Sequence, residues 1–316
     1  QAAKLSSMNR TLPMATRLPC YLALAYAVLI VYASLYPFAN WRDVGLPVLS
    51  FLDAAWPRYW TVFDLVVNVL VYLPLGFLLT LALRGLPTRC LPPIAALLFG
   101  ALLSFCLETL QTWLPSRVPS NLDLACNALG TAIGALLALS CGARIFGRLS
   151  LLQQSLLVHK PYAELGLVLV GLWLLTQLSP ETILFGAGDL RHLLDITPAV
   201  PYEAPSFFAL ETGIIVSNTI AIGLIVRELL AARKPPYFAL LVIFLMALAI
   251  RTLAAAILVD PLHAFAWLTP GAGLGLMIGG ASLSIMLLLS ASLRVALAGL
   301  ALMAGTVLVN VAPPNP

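Results

Sequence analysis

Nine stretches of this 316-residue chain are too long and too apolar for the core of a soluble protein to absorb. They run over about residues 18–38, 62–84, 94–112, 122–142, 162–180, 208–230, 237–259, 271–291 and 294–312. A helix needs roughly 20 mostly apolar residues to cross the hydrocarbon core of a bilayer, and these stretches are of that order. Hydrophobic residues make up 61% of the chain and charged residues 9%, against about 25% charged in soluble domains. The stretches show no alternation of apolar and polar positions, which argues against the strands of an outer-membrane barrel. The sequence therefore predicts an all-α polytopic membrane protein with about nine transmembrane helices. Only a short connection near Arg294 separates the last two, so either a tight hairpin or one broken helix fits there.

Basic residues set the expected orientation. Lys4, Arg10, Arg17, Arg84, Arg89, Arg144, Arg148, Lys160, Arg227, Arg233, Lys234 and Arg294, twelve of the 17 lysines and arginines, fall at one set of turns. Arg42, Arg58, Arg117 and Arg191 fall at the other set, and Arg251 lies within a helix. The positive-inside rule then places the N-terminus in the cytoplasm and, after nine spans, the C-terminus in the periplasm of a bacterial inner membrane. Trp41, Trp56, Trp60, Trp113 and Trp267 all fall near the outer interface, where indole rings prefer to sit. The stretch from Leu46 to Trp60 reads as a short interfacial segment or as an ordinary loop. The first apolar run is followed by no small-residue cleavage site and reads as a retained helix.

The net charge of +4 is accounted for by these turns and points to no nucleic acid. Five cysteines, Cys20, Cys90, Cys106, Cys126 and Cys141, show no short paired spacing. They read as free thiols rather than a disulfide framework or a zinc site, and nothing else in the chain calls for a metal or cofactor.

Against this background a few polar positions stand out, because a charge inside a bilayer is costly and marks a functional candidate. Asp64 and Asn68 lie one turn apart at the start of the second span. Glu108, Gln111 and Thr112 share a face near the end of the third. Asp123 and Asn127 open the fourth, with Asn121 as the expected N-cap. All lie at one depth, in the outer half of the membrane. Asp64 and Asp123 sit at helix N-termini, where the dipole favours negative charge by up to ~1 kcal/mol each. Glu108 is near a C-terminus, and Arg117 is the natural counter-ion. The expected ligand-binding site is Asp64, Glu108, Asp123 and Arg117, with Asn68, Gln111 and Asn127 as hydrogen-bonding neighbours. Three carboxylates against one guanidinium leave excess acid, to be met by a proton, a cation or a cationic ligand. The competing reading is that these groups only close hydrogen bonds between three helices.

Other features read as structural. Pro74 removes a backbone hydrogen bond inside the second span. Gly130 and Gly134 form a small-xxx-small pair. Gly271, Gly273, Gly275, Gly279 and Gly280 superficially resemble a phosphate loop, but no strand precedes them and no lysine follows, so they read as packing glycines.

Two blocks carry a family resemblance. One runs Asp64-Leu-Val-Val-Asn68-Val-Leu-Val-Tyr72-Leu-Pro74-Leu-Gly76-Phe77. The other is Glu108-Thr-Leu-Gln111 followed by Arg117-Val-Pro-Ser120-Asn-Leu-Asp123-Leu-Ala-Cys-Asn127-Ala-Leu-Gly130-Thr-Ala-Ile-Gly134. Over about residues 20–142 the chain resembles the VanZ-like family of bacterial membrane proteins. Tyr72 stands where phenylalanine is commoner, and Thr109 follows the acid. The resemblance implies a role at the cell envelope, with a link to resistance to the glycopeptide teicoplanin, and it implies no catalytic residue.

The expected organisation is a cytoplasmic segment (1–17), a VanZ-like four-helix membrane domain (18–142), a cytoplasmic linker (143–160) and a second membrane half (161–316). That half echoes the first: Cys106-Leu-Glu108-Thr-Leu against Ala249-Ile-Arg251-Thr-Leu, Asp64 against Glu211, Gly76 against Gly223. A degenerate parallel repeat and chance matching are both open. Arg251 needs a partner, which Glu211 or the first cluster would supply. The outer loop from Pro180 to Ser206, with Glu181, Asp189, Asp195 and Glu203 against Arg191 and His192, reads as a lid or a solvated loop.

The favoured function is binding of an amphipathic envelope component, a lipid headgroup or lipid-linked saccharide, at the outer polar cluster. A non-catalytic subunit of a larger membrane complex is the first alternative. A membrane enzyme or transporter acting on a lipid-linked substrate is the second, although no intramembrane histidine, nucleophile dyad or metal-ligand spacing supports catalysis. Membrane lipids and membrane-embedded proteins are the expected partners.

Overall fold

The computed structural model describes residues 17–313 except 44, 46, 57–60, 159–160, 192–199 and 232–234. Lys4, Arg10, Leu46, Arg58, Trp60, Lys160, His192, Asp195, Arg233 and Lys234 from the reading above lie outside these residues. The described elements are α1 (Leu18–Leu35), α2 (Ser50–Asp53), α3 (Val62–Ala82), α4 (Leu91–Gln111), α5 (Asn121–Ser140), α6 (Gly142–Leu156), α7 (Pro161–Thr176), α8 (Ala204–Leu229), α9 (Pro236–Leu258), a 3-10 turn (Pro261–His263), α10 (Pro270–Met286) and α11 (Ala291–Val311). Each of the nine apolar stretches is a helix, and no strand occurs among the described residues. α1, α3, α4, α5, α8, α9 and α11 are long and apolar enough to cross a membrane. α7 and α10 are apolar but shorter, about 25 Å each at 1.5 Å per residue. The protein is a multi-pass membrane protein.

Solvent exposure is inverted relative to a soluble fold. Leu98, Leu102, Leu136, Leu241 and Leu300 point outward, while Ser104, Glu108, Asn127, Thr131, Glu211, Asn218 and Arg251 are buried. In lipid, apolar side chains lose nothing by facing out, and polar ones must find partners within the bundle.

The chain divides into two compact units, residues 1–152 and 153–316. In the first, α3 is packed by α1, α4 and α5. α3 and α5 run parallel and meet backbone to backbone: a Cβ on Gly130 would overlap the Val69 carbonyl, one on Gly134 the Leu73 carbonyl, and one on Gly76 the Thr131 carbonyl. The small-xxx-small pair is thus a helix contact, where small residues let backbones approach. α3 is continuous through Pro74, and nearby the Tyr26 hydroxyl of α1 donates to the Val71 carbonyl at 2.9 Å.

In the second unit α8 is the hub, with α10 and α11 packed along it. α10 lies parallel to α8 through Gly271, Gly275 and Gly279, which face Glu211, Ile215 and Thr219. These are three of the five glycines read as packing positions. α10 and α11 are separate helices joined through residues 287–290, α10 running parallel to α8 and α11 antiparallel to it, so the connection is a tight hairpin. Trp173 of α7, Phe185 and Phe244 of α9 form an aromatic cluster with ring centroids 5.2–6.1 Å apart.

Most of residues 143–160, expected as a cytoplasmic linker, form α6. Ile145, Phe146, Leu149 and Leu156 supply its helical apolar pattern, and Phe146 packs on Phe77. The described part of the loop from Pro180 is packed in part against the helices. Phe185 is fully buried, its N–H donates to Gln177 Oε1 at 3.2 Å, and Asn310 of α11 bonds Leu190 and Gly188.

Candidate functional site

The fourth span is capped by Ser120 rather than Asn121. The Ser120 hydroxyl accepts the backbone N–H groups of Leu122 at 3.2 Å and Asp123 at 3.3 Å, whereas the Asn121 amide donates to the Ala54 carbonyl at 2.7 Å. The N–H of Ser120 itself donates to Glu108 Oε2 at 2.8 Å. Glu108 is 5% exposed. It lies near the C-terminus of its own helix but against the N-terminus of α5, so it gains the favourable end of a neighbouring dipole. The arrangement resembles a capping box whose acid is supplied by another helix.

Asp123, the third residue of α5, is thereby free for another task. It accepts a hydrogen bond from the Asn68 amide of α3 at 2.8 Å. One turn deeper, the Asn127 amide donates to the Ser104 hydroxyl of α4 at 2.9 Å, and the Tyr72 hydroxyl lies within reach of Ser104. Asn127 Oδ1 is buried with no partner among the described residues. A polar seam thus runs down the α3–α4–α5 junction, from Glu108, Asp123 and Asn68 at one end to Tyr72, Ser104 and Asn127.

The other candidates face elsewhere. Asp64 closes its own capping box with Thr61: its carboxylate accepts the Thr61 N–H at 3.0 Å and the Thr61 hydroxyl at 2.7 Å. It is exposed, yet near enough to Asp123 to interact electrostatically. Gln111 donates to the Ser34 carbonyl at 3.0 Å. Arg117 donates to the carbonyls of Ala33 at 3.0 Å and Tyr36 at 3.3 Å. Among the described residues Arg117 forms no ion pair with Glu108, Asp64 or Asp123. The expected counter-ion is instead a clasp on the end of α1, whose last carbonyls have no helical N–H donors of their own to satisfy them. The carboxylates of Glu108 and Asp123 are close enough to sense each other, with no cation paired to either among the described residues.

Sequence reasoning missed Ser104, Ser120 and Tyr72 as members of this seam. The signal was present: Ser104 precedes Glu108 by four positions, and Tyr72 follows Asn68 by four, each pair sharing a helix face.

Residues 18–145 match the family model VanZ/LLP1. This stretch is similar to that family. It coincides with α1 to α5, and the polar seam lies wholly within it. No match was found among curated proteins or among solved structures. The residues that carry the VanZ-like blocks, Asp64 to Phe77 and Glu108 to Gly134, are those that build the α3–α5 contact and the seam.

Outside the VanZ-like domain, Glu211 and Arg251 do not pair with each other as expected. Glu211 Oε1 accepts the Thr269 hydroxyl at 2.7 Å. Arg251 donates to the carbonyls of Ser179 and Thr182 and to the Thr182 hydroxyl. The loop after α7 thus supplies the partners that the sequence reading sought in a carboxylate. Both side chains nonetheless line one cavity.

Proposed function

We propose that the VanZ-like domain binds the polar head of an amphipathic envelope component, a lipid headgroup or lipid-linked saccharide, at the Glu108–Asp123 end of its seam. The observation that carries this reading is the pair of neighbouring carboxylates, one of them buried, with no cation matched to them among the described residues. Carboxylates accept hydrogen bonds and donate none when ionised. Their complement is a group rich in donors: an ammonium, or the hydroxyls and amines of a sugar. In an apolar bundle such a group gains more from a carboxylate than it does in water.

The distribution of basic residues supports a seam mouth at the periplasmic leaflet of the inner membrane. A lipid whose tail stays in the bilayer would present its head at that depth. The family resemblance supports a role at the envelope and makes teicoplanin susceptibility a usable readout.

The test is a susceptibility assay in a strain dependent on the protein. Glu108→Gln and Asp123→Asn are expected to abolish the protection conferred by wild type while membrane abundance stays level. Undiminished protection from both variants at normal abundance would refute the proposal.

A further inference from the structure

A cavity of about 550 Å³ opens in the second unit between α8, α9 and the start of α10. That is within the usual range for small-molecule sites, about 300–1,000 Å³. Two side chains of opposite charge line it, Arg251, 2% exposed, and Glu211, 5% exposed. Each lies seven residues from the nearer end of its helix, about 10 Å in at 1.5 Å per residue.

Glu181 and His263 also line the cavity, but among the described residues neither Arg251 nor Glu211 forms an ion pair. Arg251 is fixed by carbonyls and a hydroxyl of the Ser179–Thr182 segment, and its Nε is buried with no partner among the described residues. Carbonyls satisfy N–H groups but do not neutralise a cation, and no carboxylate pairs with Arg251 among the described residues. Glu211 receives the Thr269 hydroxyl, and its Oε2 sits where a side chain at Gly271 would otherwise be. Thr269 caps α10 by accepting the Ala272 N–H. The carboxylate therefore rests at a helix N-terminus, which favours the anion without supplying a counter-ion. Tyr202, Phe207 and Trp267 add aromatic wall.

We propose that this cavity is a binding site for a zwitterionic head, with an acidic oxygen group on Arg251 and an ammonium on Glu211. A guanidinium recognises phosphate or carboxylate oxygens directionally, and an ammonium beside Glu211 gains a nearby aromatic face from Trp267. The same chemistry is found on a bilayer phospholipid and on a free solute. The site is built only from residues of the second unit, so it stands or falls separately from the VanZ-like seam.

The experiment measures binding to the purified full-length protein. One arm reconstitutes it in nanodiscs of phosphatidylethanolamine or phosphatidylglycerol and counts retained lipid by native mass spectrometry. The other titrates O-phosphoethanolamine and glycine in solution. Two variants accompany wild type, Glu211→Gln and Ala266→Trp. The second fills the cavity from an exposed lining position without altering any charge. Preferential retention of phosphatidylethanolamine assigns the head to a lipid, and saturable binding of a soluble zwitterion assigns it to a solute. Either supports the proposal if both variants weaken it by about tenfold or more with unchanged thermal unfolding. No preference in either arm, or binding that survives either variant, would overturn it. Arg251 would then be only a fastener for the Ser179–Thr182 segment.

Discussion

The Glu108 carboxylate accepts the Ser120 N–H at 2.8 Å, so the end of α4 caps the start of α5. This one bond explains how a buried acid is tolerated in the third span without a cation, and it releases Asp123 to meet Asn68 across the helix junction. The carboxylate is structural on one oxygen and free to act with the rest of its acceptor capacity.

Glu108→Gln and Glu108→Ala should therefore separate structure from function. A glutamine retains an acceptor for the Ser120 N–H and should cost less than about 1 kcal/mol, while alanine leaves that donor buried and should cost about 1–3 kcal/mol. Thermal unfolding in detergent measures both. Equal destabilisation by the two would show that charge, not the hydrogen bond, holds α4 to α5.

Arg117 and Glu108 should behave as independent residues. Arg117 clasps the Ala33 and Tyr36 carbonyls, so the effects of Arg117→Gln and Glu108→Gln should add to within about 0.5 kcal/mol in a double-mutant cycle. A coupling well above that value would restore the salt bridge that the sequence suggested.

Glycine substitutions should split by location. Gly134→Ala places a methyl on the Leu73 carbonyl and should cost about 1–3 kcal/mol. Gly299→Ala, in a helix position with nothing within 4 Å of the added carbon, should stabilise by about 0.5–1 kcal/mol. Unfolding midpoints of the two variants check the contrast.

Orientation is checked by labelling. Val118 is 85% exposed in the turn between α4 and α5. In a cysteine-free background, Val118→Cys should react with an impermeant maleimide in intact cells, and Arg89→Cys only after permeabilisation. The reverse pattern would invert the topology and remove the periplasmic placement of the seam.

Hydropathy made the nine helices legible because lipid exposure demands long apolar runs. The α3–α5 contact was legible in Gly130 and Gly134, since small residues at four-residue spacing mark close approach. The site was less so. Asp64, Gln111 and Arg117 share the depth of Glu108 and Asp123, but depth is only one coordinate. Which way each side chain turns depends on neighbouring backbone groups: Thr61 draws in Asp64, and the end of α1 draws in Gln111 and Arg117. The partners of Arg251 were hidden for the same reason, being main-chain carbonyls that any residue could supply. α6 was obscured because two arginines in a short segment read equally well as a loop.

Affinity for a long-chain primary amine, titrated calorimetrically into the full-length protein in neutral detergent, tests the acid seam most directly. The wild-type protein should bind it saturably. In a Glu211→Gln background, which removes the second acid an ammonium could reach, adding Glu108→Gln and Asp123→Asn should weaken binding about tenfold or more. Equal affinity with and without those two substitutions would contradict the assignment of the VanZ-like seam as the site of headgroup recognition.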